Sequence, residues 1–379
     1  MQLNKSHMLL QPESKSKKPT YRNILLLSLC FLLDGCLSAY GPRSIENVHP
    51  AYNQSIVNTV DEQMLLNLVR LKYRDSPYFL EVASVTTSLS IETNVGIDAI
   101  IPFSNAHNTL EPGFGYTQSQ KPTITYTPLR GEDFLKSVLS PISLDAIQLI
   151  TQSGWSIERV FGVCIERIND LDNASRASGP TPENEPKYKE FRVLLKLLRK
   201  LQLEGLVEMG PDLDKNSKKL ILLFKKDHSY ESTIIEIKSL LGITQQSNQC
   251  SISTNFLHTK ENQLNMRARS IISVLFYLSQ NIDIPEEHKE AGLVTVTKTQ
   301  NGEEFNWDET PGGMQFKVRF SKTKPSNAFV TVPYRGTWFY IADNDLSSKS
   351  TFLLLKQLFS LQSGQRTYIG PSLTLPVGD

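Results

Sequence analysis

Few residues of the chain combine the types and the spacing that enzymatic catalysis requires. Ser321 and Lys324 form a Ser-x-x-Lys pair, in which the lysine amine could help to deprotonate the serine hydroxyl. The Ser-Asp-Asn and Lys-Thr-Gly triplets that accompany such a pair are missing. The same spacing also occurs at Ser14 and Lys17 in the N-terminal region, so the pattern has little specificity. There is also no Gly-x-Ser-x-Gly sequence to expose a nucleophile. The sequence therefore predicts no catalytic residue and favours a non-enzymatic protein.

Metal and cofactor sites have equally little support. The histidines beyond the N-terminal region are far apart and form no metal-spaced pair; they are His49, His107, His228, His258 and His288. Cys164 falls on the apolar stripe of a predicted helix, where a free thiol packs as a small hydrophobe. Cys250 lies in a polar stretch. A disulfide between the two is one interpretation, and a buried free Cys164 is the simpler one. We predict no metal and no cofactor.

The most aromatic segment of the chain runs from Tyr334 to Tyr340. Because side chains alternate along a strand, Trp338 and Tyr340 share one face of it, and Phe339 and Ile341 share the other. Trp338 and Tyr340 are therefore the candidate contacts for a glycan or a protein partner. A hairpin buried on both faces is the alternative, and the sequence alone favours it.

The N-terminus has the features of a secretory signal. Five cations precede residue 24, against the single acid Glu13: Lys5, Lys15, Lys17, Lys18 and Arg22. Ten apolar residues follow, from Ile24 to Leu33. As a helix they would span about 15 Å, half the hydrocarbon thickness of a bilayer, which disfavours a stable transmembrane anchor. The true start could be Met1 or Met8.

The sequence Leu33-Asp34-Gly35-Cys36 resembles the lipobox of bacterial lipoproteins. In that family the peptide is cleaved before the cysteine, here between Gly35 and Cys36, and the cysteine carries a diacylglyceryl group and an acylated amine. Leu33 and Gly35 match the pattern, whereas Asp34 stands where the family has a small or β-branched residue. Leu37 follows the cysteine where lipoproteins of the inner membrane often carry Asp. The resemblance implies an outer-membrane lipoprotein; simple secretion and an uncleaved anchor are the alternatives.

Charge excludes one large class of partner. The full chain of 379 residues has 40 basic and 39 acidic side chains, a net charge of +1. Loss of residues 1–35 leaves 35 basic and 37 acidic side chains, or about −2. Phosphate binding needs a dominant basic surface, so we predict no nucleic-acid partner, although the basic helix at 188–203 and the hairpin after it resemble a winged helix.

Periodicity and turn signals predict an α+β fold of mixed helices and antiparallel strands, with two subdomains as one arrangement. The first predicted helix starts at Thr59 as N-cap and is stopped by Asp75-Ser76-Pro77. The other predicted helices are 132–139, 144–152, 157–171, 188–203, 230–241, 266–280 and 350–361. The predicted strands are 79–93, 123–127, 206–209, 220–224, 293–299, 316–320, 328–334 and 338–341. Asp345 or Ser347 is expected to cap the last helix.

Composition divides the chain into five segments. Residues 1–35 are predicted as the signal peptide and 36–58 as a tether with Gly-Pro and His-Pro pairs. Residues 59–171 form an N-terminal α+β region, 172–186 a linker or surface loop, and 187–379 a C-terminal α+β region.

Several stretches resemble a family of uncharacterised proteobacterial envelope proteins. They are residues 62–70, Tyr73-Arg74-Asp75, Ser153-Gly154-Trp155, 178–182 and 348–352. The resemblance implies export and a common fold but no activity. We expect a non-enzymatic scaffold or accessory subunit of an envelope complex, with protein partners and the membrane reached through the N-terminal lipid. A peptidoglycan- or glycan-binding module and an envelope hydrolase with a dispersed site are the alternatives.

Overall fold

A computed structural model describes residues 40–97, 112–212, 220–256 and 260–363. The chain divides after Asn58 into two units, and the unit that begins at Thr59 contains the hydrophobic core. No helix within the described ranges is long and apolar enough to cross a membrane. Helices and mixed sheets together make the fold α+β.

The first helix, α1 (Tyr40–Lys72), corrects one prediction: it runs through Thr59, which is therefore not an N-cap. The helix also includes residues 40–58 of the predicted tether, whose residues 36–39 lie outside the described residues. Pro42 lies in the first turn, where a helical N–H has no partner to lose, and Pro50 removes one backbone hydrogen bond without ending the helix. The predicted apolar face is confirmed: Met64, Leu65, Leu68 and Val69 are buried.

A two-stranded antiparallel ribbon follows. Strand β1 (Leu80–Ile97) pairs with β2 (Pro112–Pro128) from Leu80 opposite Pro128 to Ile97 opposite Pro112. The predicted strand at 79–93 is confirmed, but the ribbon is longer than the two strands predicted at 79–93 and 123–127. The Pro- and Gly-containing sequence Pro112–Gly115, for which no strand is predicted, lies in β2. Pro112 is tolerated because it is the first residue of its strand, where no ladder hydrogen bond is lost.

Helices α2 (Glu132–Leu139) and α3 (Leu144–Gln152) have the predicted bounds. Helix α4 (Ile157–Cys164) is shorter than predicted, because the chain continues into strand β3 (Ile165–Ile168). The hydroxyls of Ser143 and Ser156 accept hydrogen bonds from the first turns of α3 and α4. The helical spacing of apolar residues continues past Cys164, so the sequence pattern gives no sign of a helix end. The helix ends there because β3 pairs with β8, which is distant in sequence.

A six-stranded sheet lies at the centre of the unit, with the strand order β4-β3-β8-β7-β6-β5. Only β7 and β8 run parallel, and the other neighbours are antiparallel. The strands and the helices between them are β4 (Leu171–Asp172), α5 (Lys189–Leu203), β5 (Val207–Pro211), β6 (Leu220–Phe224), α6 (Glu231–Leu241), β7 (Gln249–Ser253), β8 (Gln263–Ala268) and α7 (Ile271–Ser279). The β5–β6 hairpin is as predicted. The helix predicted from Met266 begins at Ile271, because Met266 belongs to β8.

The C-terminal part adds helix α8 (Glu286–Glu290) and a three-stranded antiparallel sheet, with the order β10-β11-β9. Its strands are β9 (Arg319–Ser321), β10 (Ala328–Tyr334) and β11 (Thr337–Ala342). Helix α9 (Leu346–Ser363) follows, and Asp345 caps it by accepting the backbone N–H of Ser348. The strand predicted at 293–299 is wrong: apart from isolated bridges at Lys298, this segment has no strand pairing.

One hydrophobic core joins the regions before and after residues 172–186. It extends from Met64 in α1 to Leu358 in α9 and includes residues of the six-stranded sheet. Residues 172–186 are themselves partly buried, with Asn173, Ala174 and Ala177 at zero exposure. Ala174 and Ala177 belong to a second, smaller hydrophobic cluster that includes Tyr277 and Trp307.

A buried guanidinium connects these elements. Arg269, between β8 and α7, has no exposed surface and donates hydrogen bonds to the carbonyl oxygens of Val163, Ile165 and Asn173. Its guanidinium carbon lies 3.9 Å from the centre of the Tyr277 ring. The Tyr277 hydroxyl donates to Asn173 Oδ1 and accepts the backbone N–H of Gly312 at 2.9 Å. Arg269 therefore fixes the junction of α4 and β3 to the loop around Gly312.

This packing predicts that Gly313→Ala is severely destabilising. A Cβ at Gly313 would overlap the backbone oxygen of Trp307 and the side-chain oxygen of Asn281. Because backbone must move, we expect a loss of about 3 kcal/mol or more in the free energy of unfolding, measured by chemical denaturation. Gly210→Ala is the matched control, since a Cβ there meets nothing within 4 Å, and we expect about 1 kcal/mol or less. Equal losses for the two variants would refute this account.

Candidate functional site

The residues predicted as sites fall into two groups. Gly35 and Cys36, the predicted cleavage and lipidation residues, lie outside the described residues. Trp338 and Tyr340 lie on β11, on one face of the three-stranded sheet, and both are half-buried. Phe339 and Ile341, on the opposite face, have no exposed surface. The structure therefore has one face in the core and an outer face that is partly open, and the two faces are not equally buried.

The outer face of this sheet is modest in size and partly covered. Tyr340 lies between Thr331 of β10 and Arg319 of β9. Trp338 has the exposed Pro333 on one side, and the ammonium of Lys324 lies 5.5 Å from its ring centre. A cation over the face of an indole occupies the surface on which a sugar ring would stack. The glycan contact thus stays a prediction that the geometry does not favour.

A second aromatic cluster joins α1 to the turn between β10 and β11. Tyr73 packs against the rings of Tyr334 and Phe339, and its hydroxyl lies 2.6 Å from Nδ1 of His288. Asp75 accepts hydrogen bonds from Tyr334 and Arg335, and these bonds hold the pKa of the Asp75 carboxyl below its usual range. The Tyr73-Arg74-Asp75 sequence thus fastens the end of α1 to the C-terminal sheet.

An apolar groove lies between α3 and α9. Leu149 of α3 and Leu353 and Leu361 of α9 line it, and they are 56%, 48% and 43% exposed. Trp155 contributes to its wall, and the groove encloses about 630 Å³. Three large aliphatic side chains with this exposure line one groove, which makes it a candidate interaction surface. We call this surface the α3–α9 groove.

A polar cleft of about 450 Å³ lies on another part of the same unit. Its walls come from the end of α1, the residues after α7, α8, the segments 294–297 and 304–308, and β9. It contains three lysines and three acids: Lys72, Lys289, Lys317, Asp283, Glu304 and Asp308. Its volume is in the range of small-molecule sites. We call it the Lys72 cleft.

Two of the three lysines are neutralised by carboxylates. The Lys289 ammonium lies 2.7 Å from a Glu304 oxygen, and the Lys317 ammonium lies 2.8 Å from oxygens of both Asp283 and Asp308. Burial lowers the pKa of these amines, but the hydrogen bonds to the carboxylates outweigh it and raise both. The acids of the cleft are thus already engaged with cations.

Lys72 differs from the other two. It is only 6% exposed, and its ammonium donates to the side-chain oxygen of Gln280 at 3.3 Å, with no carboxylate within ion-pair distance in the described residues. Burial lowers the pKa of Lys72 to about 8, partly offset by the charge of Glu304. A buried cation without an adjacent anion is costly, and the lowered pKa expresses that cost.

Asn281 is the second unusual residue of the cleft wall. It is 2% exposed, and neither its amide nitrogen nor its amide oxygen has a hydrogen-bond partner. Buried side-chain amides are nearly always paired, and each unpaired group costs about 1–3 kcal/mol. The wall therefore contains one hydrogen-bond donor and one acceptor without a partner among the described residues.

The polar groups of the cleft are mostly engaged within the protein. Among its described lining residues none is Ser, Cys or His. The hydroxyl of Thr297 is committed to the backbone oxygen of Pro182 at 2.6 Å. A lysine of lowered pKa in a concave site is one mark of an enzyme, but the three carboxylates beside it are held by Lys289 and Lys317. The arrangement is suited to binding.

Sequence reasoning did not identify the cleft. In the sequence, Lys72 is an ordinary basic residue at the end of a helix, and its partner Gln280 is 208 residues away. The feature that could have indicated its burial is its position directly after Leu71, next to the apolar face of α1. Neither the groove nor the cleft is encoded by a local motif, because the side chains of each come from distant elements.

Comparisons of the chain with protein-family models, with characterised proteins and with solved structures find no match. Functional inference for this protein therefore rests on its own residues.

The pKa of Lys72 predicts a specific dependence of stability on pH. The folded protein releases the Lys72 proton near pH 8 and the unfolded chain near pH 10.5, so wild type should gain stability as the pH rises through this window. Lys72→Met removes this titration. We expect the difference in unfolding free energy between wild type and variant to move by about 3 kcal/mol in favour of wild type between pH 8 and 10.5, as measured by urea denaturation. A constant difference would contradict the buried-cation account.

Proposed function

We propose that the protein is a lipid-anchored, non-enzymatic accessory subunit of an outer-membrane envelope complex. In this proposal Cys36 carries the lipid and holds the chain at the periplasmic side of the outer membrane. The folded unit docks a helix of a partner protein in the α3–α9 groove. The observation that carries the proposal is the groove, with its three exposed leucines.

The groove suits a helical partner for geometric reasons. Both of its walls are helices, and Leu353, Gln357 and Leu361 recur at four-residue spacing along α9. A row at this spacing forms a ridge, and the furrow beside it accepts the ridge of another helix. An amphipathic helix with apolar residues at the same spacing would cover the leucines.

The anchor is supported by sequence alone. Five cations, ten apolar residues and the Leu33-Asp34-Gly35-Cys36 sequence occur in the order that a lipoprotein signal requires. Acylation by two or three chains would give a lasting hold on the membrane, since each buried methylene contributes about 0.8 kcal/mol. Such an anchor would concentrate the groove near membrane partners.

The anchor predicts a difference between wild type and Cys36→Ser in a Gram-negative host. Wild type should lose residues 1–35, gain the mass of its acyl chains and enter the outer-membrane fraction. Cys36→Ser should do none of these, because the modified thiol is missing. Intact mass and membrane fractionation measure both. A wild-type chain that keeps residues 1–35 and remains soluble would refute the lipoprotein proposal.

The groove predicts that one partner depends on Leu353. A photo-reactive amino acid at Gln357 should crosslink a partner that also co-purifies with wild type, and Leu353→Glu should reduce both signals at least tenfold by placing a charge in the apolar contact. Leu203→Glu is the matched control, because Leu203 is 67% exposed and lies outside the groove. The thermal midpoints of both variants should remain close to wild type. Loss of the partner in both variants, or in neither, would count against the groove.

A further inference from the structure

The Lys72 cleft contains one lysine ammonium that no carboxylate of the described residues neutralises. Lys289 and Lys317 have carboxylate partners at 2.7–2.8 Å, whereas the hydrogen-bond partner of Lys72 among the described residues is the neutral amide of Gln280. The three acids that line the cleft are engaged by the other two lysines. The cleft therefore has a place for one negative charge close to Lys72.

The polar side of the cleft is also incompletely paired. The buried amide of Asn281 has both a donor and an acceptor unused, although it lies in the same wall as Gln280. An unpaired buried amide beside a cavity commonly indicates a missing polar partner. This observation is independent of the charge on Lys72.

The remaining walls are mixed, with Thr295, Thr297 and Asn306 beside a group of apolar side chains. Ile282, Val294, Phe305, Trp307 and Phe320 line the cleft beside the charged groups. A hydrated inorganic anion would leave these surfaces without contact, and a dianion would add a charge close to Asp283, Glu304 and Asp308. The walls and the charge together favour a singly charged ligand with an apolar body.

We propose that the Lys72 cleft binds a small monocarboxylate, whose carboxylate pairs with the Lys72 ammonium and whose apolar body packs against Val294, Phe305 and Trp307. The ligand supplies the counter-charge that the protein lacks. The site shares no lining residue with the α3–α9 groove, so this proposal can be tested independently of the proposed docking function.

The test is a binding series on the purified full chain. Isothermal calorimetry at pH 7 would use straight-chain carboxylates from propionate to octanoate and, as neutral partners, the corresponding primary amides. We expect saturable binding of one acid per chain, with the amide at least tenfold weaker. Lys72→Met should weaken the acid at least tenfold, and Lys225→Met, an exposed lysine outside the cleft, should leave it unchanged. Equal affinity for acids and amides, or no binding of any acid, would overturn the proposal.

A second readout on the wild-type chain does not depend on how well the variant folds. The charged groups that act on Lys72 are Glu304, Asp283 and Lys289, and burial among them places its pKa at about 8. Acid affinity should therefore be constant below pH 8 and fall about tenfold per pH unit above it, as Lys72 loses its proton. Nitrogen NMR of the lysine amines should show the pKa of Lys72 rising on addition of the acid. An unchanged pKa at saturating acid would exclude Lys72 as the counter-ion.

Discussion

The fold depends on a charge placed where no water can reach it. The Arg269 guanidinium offers five N–H donors, and burial without partners would be prohibitively costly. Three backbone carbonyls and the hydroxyl of Ser178 accept from it, and the Tyr277 ring covers its face. Each acceptor must come from a fixed position in the chain. The end of α4, the start of β3 and the loop after β4 are therefore held in one arrangement, because any other would leave the charge unpaired.

The same constraint extends to the Lys72 cleft. Tyr277 stacks on Arg269, and its hydroxyl receives the N–H of Gly312, whose Cα hydrogens lie against the tyrosine ring. Gly313, the next residue, is packed against Trp307 and Asn281, and both of these line the cleft. The shape of that wall thus depends on a buried cation that it contacts through Tyr277. The Asn281 amide can remain without a hydrogen-bond partner because Arg269, Tyr277 and Gly312 fix the position of the wall around it.

Local patterns predicted the elements whose determinants are local. The bounds of α2 and α3 follow from their apolar spacing and turn residues, and the β5–β6 hairpin and α5 are also as predicted. The predictions are wrong where pairing with a strand distant in sequence determines the secondary structure. Ile165–Ile168 and Met266 continue helical patterns but are held in neighbouring strands, and Pro112–Gly115 is held in a ribbon by β1. The sites follow the same rule: the predicted pair Trp338 and Tyr340 lies on one strand, whereas the groove and the cleft join residues from several elements.

The two free thiols in the described chain have a chemical consequence for the folded protein. Cys164 and Cys250 are both buried and unpaired, and burial raises the pKa of Cys164 to about 12 and that of Cys250 to about 11. At pH 7 only about one molecule in 10⁴ to 10⁵ would carry either thiolate, the form that oxidants and disulfides attack. Neither sulfur therefore exchanges electrons with its surroundings while the core is closed. Once folded, the described unit would retain the same covalent structure under oxidising and reducing conditions.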